Sequence, residues 1–211
     1  MTKSTPPKPF KAILFDLDGV LVDMPDAHYE ALNQALSLFG VKIEEDEHYS
    51  FFNGLPSHKK LAMLEEQGRL PLGLIDFISD VKQQYTKQII PKYCLPDHSK
   101  LIMMRHLKDK NFKIGCCSNS IKETLNLMLK SAQLYDYFDL IIGNDEVTHS
   151  KPHPEMYLVA MERLGVTPGE TIIIEDSPHG IQAAVASGAT VYQVRGVEDV
   201  NLGLFTDLLK L

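Results

Sequence analysis

The stretch Ala12-Ile13-Leu14-Phe15-Asp16-Leu17-Asp18-Gly19-Val20 runs four apolar residues straight into two carboxylates spaced one residue apart. A short unbroken apolar run suits a strand buried on both faces, as in a parallel sheet. Four more runs of the same kind follow, at 112–117, 140–142, 171–174 and 190–194. Between them apolar residues recur at helical spacing, over 100–108, 121–129 and 155–164. Gly165 supplies a stop for the last of these, and Ser177-Pro178 opens another helix. Strands alternating with helices predict an α/β fold whose sheet is mostly parallel, with five main strands.

The gap between the first two strands is the exception. Residues 16–111 carry no strand pattern, and a single crossover does not need that much chain. Residues 24–93 therefore read as an inserted helical unit, with helices over 27–39, 57–67 and 72–89. Breaks are expected at Gly40, at Asn53-Gly54 with Pro56, at 68–71, and at Pro91 and Pro96. The α/β part then comprises 10–23 and 94–211. Residues 1–9, with three prolines and no apolar core of a signal peptide, read as a disordered lead-in.

The 211 residues carry 21 basic and 28 acidic side chains, a formal net charge of −7. An acidic chain is a poor partner for nucleic acid or a membrane surface. Any anion site on it must build its own local positive field. No apolar run reaches the ~18 residues of a membrane helix. The three cysteines, Cys94, Cys116 and Cys117, suggest no disulfide framework. Together these features predict a cytoplasmic protein without nucleic-acid or membrane partners.

Ligands in open α/β sheets bind beyond the carboxyl ends of the strands. The first strand ends in Asp16 and Asp18, which repel each other unless a cation intervenes or one takes a proton. One can attack phosphorus and the other donate a proton to the leaving oxygen. A polar turn with Gly19 at positive φ gives the same motif. The second strand ends in Ser118-Asn119-Ser120, fit to hold a phosphoryl oxygen or simply to cap the next helix. After the third comes Ser150-Lys151-Pro152-His153-Pro154, where Lys151 either neutralises crowded anions or lies on the surface. The fourth ends in Glu175-Asp176, hard oxygen donors of the kind Mg²⁺ takes, with a helix cap as the alternative. Four successive strands ending in compatible chemistry favour one metal–phosphate site over four unrelated turns.

Taken jointly, Asp16-Leu17-Asp18-Gly19-Val20, Ser118-Asn119, Lys151-Pro152 and Glu175-Asp176-Ser177 resemble the haloacid dehalogenase-like hydrolases, in the subfamily whose helical cap follows the first strand. The resemblance spans about residues 10–200. It implies a Rossmann-like parallel sheet core, an all-helical cap and Mg²⁺ as cofactor. By the same resemblance Asp16 is the nucleophile and a metal ligand, and Asp18 the general acid and base, binding metal through its backbone carbonyl. Ser118 and Asn119 bind the phosphoryl group, and Lys151 holds nucleophile and phosphate. Asp176 ligates the metal with Glu175 in support.

The branch that the chain is most similar to holds sugar-phosphate phosphatases and β-phosphoglucomutase. It implies substrate contacts from His28 and Gly54. Met24 and Ser57 depart from that branch, which has a hydroxyl residue and, in the mutases, an arginine at these places; both changes weigh against mutase activity and sugar-phosphate specificity. His58, Lys59 and Lys60 read as a solvated helix start, with a contact to a substrate anion as the alternative. The expected activity is a Mg²⁺-dependent phosphatase of a small phosphate ester, such as a sugar phosphate, through an aspartyl phosphate. A phosphomutase and a non-catalytic regulatory protein are the alternatives.

Overall fold

A computed structural model describes residues 10–52 and 55–209. The elements are β1 (Ala12–Phe15), α1 (Pro25–Ser37), α2 (Glu45–Glu47), α3 (Ser57–Glu66), α4 (Ile75–Tyr93), α5 (His98–Asp109), β2 (Lys113–Cys117), α6 (Lys122–Ser131), β3 (Leu140–Ile142), α7 (Glu155–Leu164), β4 (Thr171–Glu175), α8 (Pro178–Ala186), β5 (Thr190–Gln193) and α9 (Leu202–Leu209). The five strands form one parallel sheet in the order β3-β2-β1-β4-β5. The expected α/β class and five-stranded sheet are what the structure has.

β1 is central and all four of its residues are fully buried, which is why its sequence shows no alternation. Its side chains still part by face. Ile13 and Phe15 join Ile114, Cys116, Ile172 and Ile174 under α5, α6 and α9. Ala12 and Leu14 join Cys117, Ile142 and Ile173 under α7 and α8. Cys116 and Cys117 thus lie on opposite faces, as adjacent strand residues must. All three cysteines are free and buried. The helices of residues 25–93 have a separate core around Leu32, Leu36, Ile43, Phe52, Leu61 and Ile78. Among the described residues this segment contains no strand.

Several boundaries depart from expectation. β2 begins at Lys113 because Asn111 turns left-handed (φ 61°) and the Phe112 N–H closes the α5 terminus on Leu107 O. β5 is a largely exposed edge strand, not a buried one. α4 starts only at Ile75, since Gly73 is left-handed (φ 81°). It then runs through Pro91 to Tyr93. Pro91 falls in the last turn, and the helix closes behind it with Cys94 N donating to Ile90 O at 2.8 Å. The turns at 45–52 and helix α9 lie outside the sequence expectation. The expected lead-in at 1–9 lies outside the described residues, as does Gly54. No helix among the described residues is long and apolar enough to cross a membrane.

Candidate active site

The carboxyl ends of β1, β2 and β4 meet at one point. Asp16 directly follows β1, and its N–H extends the ladder to Ile174 O at 3.0 Å. The chain then turns tightly, with the N–H groups of Leu21 and Val22 both on Leu17 O and Gly19 at φ 82°. A Cβ at Gly19 would sit 2.1 Å from Asp176 Oδ2. Glycine here therefore serves both the turn and the approach of the two acidic loops.

Lys151 is buried, not on the surface. Its Nζ donates to Asp16 Oδ1 (2.6 Å), Glu175 Oε1 (2.6 Å) and Cys117 O (2.7 Å). Asn119 clamps the lysine's own backbone, with Oδ1 accepting from Lys151 N at 3.0 Å and Nδ2 donating to Lys151 O at 3.3 Å. Glu175 is wholly enclosed. Oε1 also accepts from the Tyr157 hydroxyl at 2.6 Å, and Oε2 from the N–H groups of Asp176 and Ser177. A Cβ at Gly180 would lie within 2.2 Å of this carboxylate, so α8 approaches it only through a glycine.

The cap alternatives are not realised at the other strand ends. Ser177, not an acid, caps α8, its Oγ accepting from Gly180 N at 3.1 Å. α6 is capped by neither Ser120 nor Asn119; Asp145 takes the Lys122 N–H at 2.8 Å. Ser118 stays buried with its N–H on Ile142 O.

Three carboxylates crowd one ammonium. Burial, with Glu175 and Asp176 adding to it and Lys151 opposing it, pushes the Asp16 carboxyl up to about 8. Burial and the charges of Glu175 and Asp18 push Asp176 up to about 6. Burial works against the Lys151 ammonium, but Asp16 and Glu175 outweigh it and raise its pKa. The site is short of positive charge.

A divalent cation would supply that charge, and the residues fit one. Oxygens of Asp16, Glu175 and Asp176 come within 4.8 Å of one another. Asp176 Oδ1 is buried without a hydrogen-bond partner among the described residues. Orphaned acceptors are costly in an interior and mark places where an ion is expected. Glu175 has its oxygens engaged by protein donors, so Asp16 and Asp176 are the freer ligands.

Asp18 points away from Lys151. Its Oδ1 accepts from Met24 N at 2.7 Å, and its Oδ2 lies 3.1 Å from His28 Nε2. His28 is half-buried on α1, and its Nδ1 lies 3.5 Å from Lys82 Nζ on α4. A cavity of about 510 Å³ joins the two sides, with Asp16, Asp18 and Ser118 facing His28, Lys60 and Lys82. The solvated reading of 58–60 holds for His58 and Lys59 but not for Lys60, which is only 7% exposed. Lys82 and Tyr157 were not singled out from the sequence. The signal for Lys82 is its place in α4, where Ser79, Lys82 and Thr86 occupy the buried helical stripe shared with Ile78 and Ile90.

The model of the family described as haloacid dehalogenase-like hydrolase matches residues 13–194. A protein of Thermotoga maritima named phosphorylated carbohydrates phosphatase is 29% identical over 178 residues, covering 84% of this chain and 82% of its own. A crystal structure of a HAD family hydrolase from Deinococcus radiodurans, with bound phosphate and sodium, is 30% identical with a TM-score of 0.64, over 88% of this chain and 80% of that one. β-Phosphoglucomutase from Clostridium difficile shares the fold with a TM-score of 0.79 at 24% identity, over 95% of this chain and 97% of that one. The family match and the phosphatase among its relatives make this a phosphoric monoester hydrolase, here on a parallel α/β core. The chain belongs to the haloacid dehalogenase-like hydrolases.

Proposed function

We propose that this chain is a Mg²⁺-dependent phosphatase of a small phosphorylated metabolite, a sugar phosphate in the first instance, working through an aspartyl phosphate on Asp16. The observation that carries the reading is that Asp16 pairs with the buried Lys151 ammonium and lies beside Asp176, whose buried Oδ1 has no hydrogen-bond partner among the described residues. Residues 24–93 act as a cap over a catalytic core of 10–23 and 94–211. Cap opening and closing gate the exchange of substrate and water.

Lys151 holds Asp16 Oδ1, which leaves Oδ2 to attack phosphorus. As the Asp16–phosphorus bond forms, the bond to the leaving oxygen breaks, and Asp18 gives that oxygen a proton. Water then attacks phosphorus while Asp18 takes a proton from it, and phosphate leaves Asp16. Ser118 donates to the phosphoryl oxygens. Asn119 fixes the Lys151 backbone and so the position of its ammonium. Asp16, Asp176 and the Asp18 carbonyl would hold Mg²⁺, with Glu175 in support; when bound, the ion neutralises charge on the phosphoryl oxygens.

The test is phosphate release from a panel of phosphorylated metabolites, with and without Mg²⁺, against Asp16→Asn. Metal-dependent release that the variant loses is the expected result. Release that Asp16→Asn retains removes Asp16 as nucleophile. An isomeric phosphate ester in place of free phosphate replaces the phosphatase with a mutase.

A further inference from the structure

Four lysines are buried among the described residues: Lys60, Lys82, Lys100 and Lys151. Two are satisfied by protein oxygens. Lys151 has its three acceptors, and Lys100 donates to the carbonyls of Val197 and Val200 at 2.8 and 3.2 Å. The other two are not. Lys82 has only the His28 ring at 3.5 Å, and no hydrogen-bond acceptor or carboxylate partner for Lys60 occurs among the described residues. Both line the cavity, Lys60 from α3 and Lys82 from α4. Among the described residues the attractive charge on both is Asp18, and Lys82 works against the Lys60 ammonium.

Burying an ammonium without a partner costs several kcal/mol unless an anion joins it. A chain with net charge −7 has acids enough to pair both lysines, yet leaves them facing a cavity. The direction of the site says which anion. Asp18 serves the leaving oxygen, so the leaving group extends from Asp18 into the cavity. His28 spans from Asp18 Oδ2 to Lys82 Nζ, which places Lys82 beyond Asp18 on that path, and Lys60 lines the same cavity close enough to feel the charges of both Lys82 and Asp18. The transferring phosphoryl group has Lys151 on its own side.

We infer that the leaving group carries a second anionic group, a carboxylate or another phosphate, and that Lys60 and Lys82 bind it. This rests on the proposed roles of Asp16 and Asp18. It replaces a general sugar phosphate with a narrower class: small phosphate esters whose leaving group bears a second acid. Burial lowers the pKa of Lys60 to about 7 and of Lys82 to about 8, so an anion arriving there also secures their protons.

The experiment compares matched esters on wild type, Lys60→Met and Lys82→Met. Glucose 6-phosphate is set against 6-phosphogluconate for the carboxylate, and fructose 6-phosphate against fructose 1,6-bisphosphate for the phosphate. The wild type should favour the anionic member of at least one pair by ~10-fold in kcat/KM, and each methionine should cut that preference ~10-fold. Both variants should melt above the wild type, which a lysine of purely structural value would not do. A wild type without preference, or variants that lose both members of a pair equally, overturns the inference. Calorimetric binding of the same esters to Asp16→Asn, with and without Lys60→Met, separates the two readings. If no ester is hydrolysed yet binding keeps the Lys60-dependent preference, the subsite stands and the phosphatase reading falls. If phosphate is released and binding shows no preference, the subsite alone falls.

Discussion

His28 Nε2 lies 3.1 Å from Asp18 Oδ2 and so joins helix α1 to the acid that follows β1. Burial and the nearby Lys82 hold the imidazole below its ordinary pKa, although Asp18 pulls the other way. A neutral ring with its Nε2 hydrogen toward Asp18 fixes that carboxyl from one side, as Met24 N does from the other. His28→Ala should therefore lower kcat by ~10-fold or more with a smaller change in KM, because the acid loses an orienting partner. Steady-state kinetics check this. A rise in KM with kcat intact would make His28 a substrate contact instead.

Among the described residues Lys151 is the one cation touching both Asp16 and Glu175. Lys151→Met leaves two buried carboxylates facing each other, and breaking a buried pair in this way costs ~3–5 kcal/mol. Denaturant unfolding should show that loss together with absent turnover. Tyr157→Phe removes one neutral donor from the same Glu175 oxygen and should cost only ~1–2 kcal/mol. Equal losses would mean that the hydroxyl, not the ammonium, holds Glu175 in place.

Asp176→Asn keeps the shape of the loop and removes a charge. Among the described residues the wild-type oxygen Oδ1 is buried without a hydrogen-bond partner, so an amide there forfeits no hydrogen bond at that atom. The Mg²⁺ concentration for half-maximal activity should rise ~10-fold or more, as for loss of one carboxylate ligand. An unchanged metal titration would place the ion elsewhere.

The sheet and its strand-end residues were legible because both depend on short-range pattern. β1 and β3 match the expected residues, and Asp16, Ser118, Lys151 and Asp176 meet although they are far apart in sequence. Parallel strands that end at one edge bring their next residues together without any knowledge of loops. The insert resisted reading for the converse reason. Left-handed Gly73 delays the start of α4, and Pro91 sits in its last turn without ending it, neither of which hydropathy carries. Lys60 looked like one of three polar residues opening a helix, and only the packing of α3 on α4 turns it inward. Lys82 was hidden among the polar residues of a long amphipathic helix.

That inward turn makes stability depend on pH in a definite direction. The Lys60 ammonium is buried beside the like charge of Lys82, with Asp18 as the compensating acid and with His48, itself held by burial at about 4, staying neutral. Lys60 releases its proton at about 7 in the folded chain, against 10.5 for an ordinary lysine. Below that lower value both folded and unfolded states carry the charge, and the folded state bears the full desolvation cost. Between the two values the unfolded chain binds more protons, so stability rises with pH and the cost fades. Without ligand, Lys60→Met should thus melt above the wild type by ~5 °C or more near pH 6, with the gap closing by about pH 10. Thermal melts of both proteins across that range decide the matter. A gap that stays constant with pH, or a variant that melts lower throughout, would mean that Lys60 is stabilised by the fold and has no charge waiting for a ligand.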